Sequence, residues 1–306
     1  MIESLLPAVS NVLAASDASW WDQIFDFSDY GKLLALLVNT VIAGAVLGVV
    51  GGLVGVFVNY RDVGFAVHGV SELSFAGASA GLLLGVGVVE GSLVGSVLAA
   101  LLIGVFGVHA ATRNSIIAVM MPFGLGLGIL CLSLYDGRAA NKFGLLTGQI
   151  VAVDDPQLGY LIGISVVVVV ALALAWRPLL FASVDPQVAA ARGVPVRALS
   201  IGFMLLLGMA VAVSVQIVGA LLVLSLLVTP AAAAMRVASS PLVVTALSVA
   251  FGVTSAVGGI LLALGASIPI SPYITTISFT IYLVCVIVGA LRRRVTRRTT
   301  EQPASA

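Results

Sequence analysis

Charge is what this sequence has least of. Of 306 residues only 9% are Asp, Glu, Lys or Arg, against 60% hydrophobic side chains and a mean hydropathy of +1.20, whereas about a quarter of a soluble protein's residues are charged. A chain with so few charges does not cover a surface facing water; it belongs in a bilayer. The 14 basic and 13 acidic residues leave a net charge of +1, so no basic face is available for a nucleic acid. Cysteine is almost missing as well. Cys131 and Cys285 lie in apolar runs with no second cysteine or histidine at ligand spacing. That excludes a disulfide framework, a zinc knuckle and a redox pair, and leaves two small core hydrophobes. A P-loop is also lacking. Gly31-Lys32 is followed by Leu33 and has Asp26 where the first glycine would be needed, so any ATP must be hydrolysed by another chain. No cleavable signal peptide is expected in the acidic residues 1–32, where Trp20-Trp21-Asp22 resembles an interface anchor rather than a small-residue cleavage site.

What the sequence does have is long apolar runs and 33 glycines, the small residues that let membrane helices approach closely. A spanning helix takes about 20 residues to cross about 30 Å of hydrocarbon. Cutting the chain at its charges, at Gln216 and at the two-proline stretch Gly265–Pro272 predicts an all-α, polytopic membrane bundle. It has about nine helices, with eight as the alternative: 33–59, 65–89, 91–110, 115–134, 158–176, 198–215, 217–235, 242–264 and 273–291. Cytoplasmic loops collect Lys and Arg. Nine spans place Arg61, Arg113, Arg177, Arg192, Arg197 and Arg236 on the side of the C-terminal cluster Arg292, Arg293, Arg294, Arg297 and Arg298. Only Lys32, Arg138 and Lys142 fall on the other side, with most of the acids. The expected division is an extracytoplasmic segment 1–31, a transmembrane domain 32–292 and a basic cytoplasmic tail 293–306, with the N-terminus outside. Residues 136–157 read as an external surface or re-entrant helix. Residues 177–197 read as internal: Asp185 as N-cap, Pro186 at the first helical position, three alanines, then Gly193 and Pro195 as a stop compose a short helix.

One pair of charges-in-waiting does not sort to a span end. His68 and Glu72, within VGFAVHGVSELSFAGASAGLLLG, are four apart and share a helical face. Glu72 lies roughly 16 Å beyond Arg61, about half-way across the core. An ionised carboxylate there costs a few kcal/mol unless it is compensated. A cation would compensate it, and imidazole with carboxylate is a ligand set suited to zinc, manganese or iron. The alternatives are a His–Glu pair that pins helix packing, or a proton relay. Ser71, Ser74 and Ser79 are further candidates to line the same path, although serine in such helices often bonds its own backbone. His109, beside Arg113 at a span end, reads as a solvated histidine. Pro122 and Pro230 are expected to kink their helices.

Three stretches resemble one family, the permease subunits of bacterial ATP-binding-cassette importers for zinc, manganese and iron(II). They are SVQIVGALLVLSLLVTPAAAAMRVASSP at 214–241, DPQVAAARGVPVRAL at 185–199 and YRDVGFAVHGVSELSFAGASAGLLLG at 60–85. The resemblance runs from about Lys32 to Arg294. In the third stretch the family usually carries aspartate and then histidine; here the order is exchanged, with Glu72 for the acid. The family's proline near this point is Ala76, and Asn114 stands where many members have an acid.

The resemblance implies a type II importer-like permease of the bacterial inner membrane, a homodimer surrounded by lipid, with no permanently bound cofactor. Its cargo would be a divalent manganese, zinc or iron ion, with His68 and Glu72 as metal ligands and Ser71 and Ser74 as pathway lining. Its partners would be a cytoplasmic ATPase dimer and an extracytoplasmic metal-binding protein. The ATPase would couple through segment 183–198, with Asp185, Pro186, Ala189, Ala190, Arg192, Gly193 and Val194 as the contact residues. A permease for a metal chelate of siderophore or cobalamin type and a proton-coupled secondary transporter are the alternatives. An intramembrane metalloprotease is disfavoured because HExxH is absent.

Overall fold

A computed structural model describes residues 30–107, 110–136, 144, 153–220, 223–264 and 270–300. Twelve helices and no strand occur among the described residues: α1 (Tyr30–Leu36), α2 (Val38–Tyr60), α3 (Gly64–Leu84), α4 (Val88–Phe106), α5 (Ala110–Leu134), α6 (Asp155–Val184), α7 (Pro186–Ala191), α8 (Val196–Val218), α9 (Val223–Leu227), α10 (Thr229–Val237), α11 (Pro241–Ala263) and α12 (Ile270–Thr300). Seven of these, α2, α4, α5, α6, α8, α11 and α12, are long and apolar enough to cross a membrane. Helix α3 has the length, but His68, Glu72 and its serines dilute its apolar character.

Small residues set the packing. On α2, Gly48 and Gly52 face α11 so closely that an added Cβ would stand 2.6 Å from the Cα of Val253 or Val249. The Ser248 hydroxyl donates to Gly52 O at 2.7 Å across the same contact. Gly51 and Gly55, on another face of α2, lie against the backbone carbonyls of Leu226 and Leu227 in α9. Helices α3 and α4 are joined in the same manner through Gly77 and Gly81 against Gly91 and Gly95. Two apolar helices gain little from burying hydrocarbon they could leave in lipid, so contact at backbone distance supplies dispersion and hydrogen bonding instead.

Contacts also give each pass its direction. Asn39, at the start of α2, donates to Val153 O at 3.2 Å and to Asp155 Oδ1 at 2.7 Å. Near its far end, Phe57 packs edge-on against Trp176, ring centroids 4.9 Å apart. Helices α2 and α6 therefore run in parallel. One end of the bundle holds Asn39, Glu90 and Asp155, and the other holds Arg61, Arg113, Arg197 and Arg236. The basic residues collect at one end, as the charge sorting predicts for this stretch of chain.

The expected helix 217–235 is not one helix. The reversal comes at Gly219, three residues after Gln216, where φ is +82° and a side chain would be strained. The chain then makes two short helices, α9 and α10, with Pro230 in the first turn of α10 unable to donate to a continuous ladder. This broken stretch still traverses the bundle. Ser271 donates to Val218 O at 2.5 Å, Ser278 to Ser225 O at 2.9 Å and Arg236 to the Tyr282 hydroxyl at 3.0 Å, so it runs beside α12 over the same depth. Among the described residues the chain thus passes from end to end nine times, seven times as a long apolar helix.

Boundaries shift elsewhere. Helix α6 runs eight residues past the expected end at 176, carrying Pro178 in its interior and reaching Val184; Arg177 marks the end of the apolar stretch, not of the helix. Helix α3 ends at Leu84 rather than 89, with a turn through Gly85 and Gly87 before α4. Helix α12 continues through Arg292 to Thr300. Residues 1–29, His109, most of the 136–157 segment and the 265–269 turn lie outside the described residues.

Candidate functional site

Helix α3 is enclosed: α4 lies along one side, α5 along another, and α8 and α9 also touch it. The close approach of α5 is a backbone matter, since a Cβ on Gly124 would stand 2.9 Å from the carbonyl carbon of Glu72. Within this enclosure Glu72 is 2% exposed and buried, and His68 is partly exposed. His68 Nε2 and Glu72 Oε1 are 3.8 Å apart, beyond a hydrogen bond. Glu72 Oε2 and His68 Nδ1 are buried without any hydrogen-bond partner.

Buried polar atoms are nearly always paired, so a carboxylate oxygen without a partner at mid-depth makes Glu72 a candidate for binding something else. Two ligand atoms held about 2.0–2.2 Å from one ion can be up to about 4.2 Å apart, so the observed separation admits a shared cation. Among the described residues no third His, Cys, Asp or Glu joins the pair. Further ligands to an ion here would be hydroxyl or carbonyl oxygens, water, or groups from a second chain.

The serines separate by face. Ser71 donates to His68 O at 2.8 Å, bonding its own backbone one turn back. Ser74, expected to line a path, is turned toward α4: its hydroxyl meets that of Ser92 at 2.7 Å, and Ser92 donates onward to Ala212 O of α8 at 3.1 Å. Its bonds tie three helices together. Ser79 is the serine that shares the face of His68 and Glu72, eleven and seven residues on, which is close to whole helical turns. It is fully buried and its Oγ has no partner. The helical phase of Ser79 could have singled it out in the sequence; the destination of Ser74 could not be read there, because Ser92 lies on another helix.

At the basic end, α7 has the expected caps. Asp185 Oδ1 accepts from Val188 N at 3.0 Å, Pro186 opens the helix, and Gly193 with φ +80° closes it. Pro186, Ala190, Arg192 and Gly193 are exposed, whereas Asp185 and Val194 are half-buried. Ala189 is fully buried and faces the bundle, so it fastens the segment and offers no surface to another protein. Val184 and Val188 are large exposed apolar side chains on the same stretch, which the sequence reading passed over.

A membrane bundle with a buried carboxylate beside a partly exposed histidine at mid-depth and a capped helix projecting at its basic end has the build of a transport subunit. The family described as the ABC 3 transport family matches residues 34–289, and the chain belongs to it. It is 28% identical to the manganese transport system membrane protein MntC of Halalkalibacterium halodurans over 242 residues, 79% of this chain and 80% of that one. It is 27% identical to the high-affinity zinc uptake system membrane protein ZnuB of Haemophilus influenzae, over 75% of this chain and 88% of the other. Among solved structures, PsaBC from Streptococcus pneumoniae in complex with Fab matches with a TM-score of 0.76 at 26% identity, covering 85% of this chain and 95% of that one.

Proposed function

We propose that this chain is the membrane permease of an ATP-binding-cassette importer that moves a divalent transition-metal ion, manganese, zinc or iron, into a bacterial cell. The observation that carries the reading is Glu72: a carboxylate with one bare buried oxygen beside a histidine, at mid-depth in a transport-family bundle. His68 and Glu72 replace part of the hydration the ion loses, and two protein ligands hold it weakly enough for release. Manganese- and zinc-transport names among the relatives support a naked ion over a chelate.

The partners in this reading are a cytoplasmic ATPase dimer, an extracytoplasmic metal-binding protein and a second copy of the permease. The bundle end bearing Arg61, Arg113, Arg197 and Arg236 is cytoplasmic by the excess of basic residues. The exposed surface of α7, from Pro186 through Ala190 and Arg192, meets the ATPase, and α6 and α8, which flank it, move as rigid bodies when the ATPase closes. Replacing the exposed Ala190 with Trp is expected to abolish co-purification of the ATPase while the permease stays in the membrane; an unchanged complex would contradict the docking surface.

The function itself is tested by uptake in cells carrying the complete system, with elemental analysis under competing manganese, zinc and iron. The expected result is accumulation of one of these ions that depends on the ATPase. Accumulation that persists without the ATPase and collapses with the proton gradient would establish secondary transport instead.

A further inference from the structure

At the base of α3, three arginines gather with no carboxylate paired to them, Asp62 meeting Arg113 only through its backbone carbonyl. A cavity of about 310 Å³ opens where the α2–α3 turn, the end of α4 and the starts of α5 and α8 meet, and Arg61, Arg113, Arg197 and Ser200 line it. Arg61 is held in place by Ser183 at 3.4 Å, by the hydroxyl of Ser200 and by the ring of Phe203, 5.5 Å from its guanidinium carbon. Arg113 donates through Nη2 to Asp62 O at 3.0 Å, while its Nε is buried with no partner. Among the described residues no carboxylate forms an ion pair with any of the three. Burial first, and then the charge of Arg113, lower the pKa of Arg61 from its usual value. Helix α8 adds to the field: it starts at this cavity with no side-chain cap, and beyond Val196, whose amide donates to Val194 O at 2.8 Å, its first turn presents the positive end of a helix dipole.

Like charges packed without a counter-ion destabilise a fold, and a cavity between them with an orphaned donor supplies the room for one. We propose that Arg61, Arg113, Arg197 and the start of α8 form a binding site for a phosphate-bearing anion. Guanidinium groups and helix amides are the chemistry that recognises phosphoryl oxygens, and basic pockets between membrane helices at an interface take anionic headgroups. A phospholipid headgroup and a free phosphate offer the same oxygens. The site's position gives it a consequence. Arg61 and Asp62 lead into the helix that carries His68 and Glu72, and Arg197 stands six residues beyond the end of α7, so a bound anion ties the projecting segment to the helix of the candidate ion site. The assignment does not depend on which ion is moved.

The test uses the full-length chain purified in neutral detergent and stripped of lipid. Unfolding temperature is followed against phosphatidylglycerol, phosphatidylcholine and inorganic phosphate in separate titrations. Saturable stabilisation by phosphatidylglycerol, absent with phosphatidylcholine, identifies a lipid headgroup; stabilisation by inorganic phosphate alone identifies a soluble anion, and either supports the site. Arg113→Gln and Arg197→Gln should each weaken the apparent affinity about fivefold, and Arg177→Gln, an exposed arginine outside the cavity, should leave it unchanged. Arg197 is exposed, so its replacement reads binding even if Arg61→Gln does not fold. Equal responses in wild type, Arg113→Gln and Arg197→Gln, an equal loss in Arg177→Gln, or no saturable response to any anion would overturn the proposal.

Discussion

The two sides of helix α3 treat polar groups in opposite ways. Toward α4, every polar atom has a partner: Ser74, Ser92 and Ala212 O form a relay through three helices, flanked by glycines at backbone distance. On the His68 face, His68 Nδ1, Glu72 Oε2 and Ser79 Oγ are buried and unpartnered. Polar atoms are buried on both sides, so burial alone does not tell them apart; satisfaction does. In hydrocarbon an unpaired polar group costs free energy that packing does not return. A face that keeps three of them is the candidate for something that arrives and leaves, and a face that keeps none serves as scaffold.

That contrast can be broken at several points. Gly91→Leu would have the largest effect, because even a Cβ there overlaps Gly77 O and lies 3.0 Å from Gly81 Cα. With two backbones in contact neither can yield, so folded protein should be lost from detergent extracts, as fluorescence-detected size exclusion would show. Ser92→Ala removes the centre of the relay and should lower stability by about 0.6–1 kcal/mol, with transport intact. Ser79→Ala is the smallest change: it deletes a hydroxyl that has no partner, so the unfolding temperature should hold or rise slightly while uptake falls only a fewfold. If Ser92→Ala instead stopped uptake at normal stability, or Ser79→Ala unfolded the protein, the division into scaffold and pathway faces would be wrong.

Much of this was legible in the sequence because charges in a membrane protein are few and expensive. Their spacing marked most passes, their sign sorted the ends, and the one pair out of place, His68 and Glu72, marked the candidate site. Local chemistry was readable too: Asp185, Pro186 and Gly193 cap and stop α7 as residue types that serve those positions. What charges do not mark was misread. The run 198–235 has none, so the polar Gln216 points to a turn that the backbone makes at Gly219, and Pro230, which predicts only a kink, stands in the first turn of a separate helix, α10, after the break from α9. Arg177 marks the end of an apolar stretch but not of its helix, which continues to Val184, since a charge does not end a hydrogen-bond ladder. Ser74 and Ala189 were placed by their neighbours in sequence, whereas their roles are fixed by α4 and by the bundle behind α7, partners that only the folded chain brings near.

The central claim is that the bare carboxylate of Glu72, with His68, handles the transported ion. Its most direct test is metal accumulation by cells carrying the complete transporter with the double substitution His68→Ala and Glu72→Ala, measured beside the amount and unfolding temperature of the permease. The account predicts accumulation at background, with normal amounts of permease whose unfolding temperature is unchanged or raised, since an uncompensated buried carboxylate has been removed. Full accumulation by the double variant would contradict it.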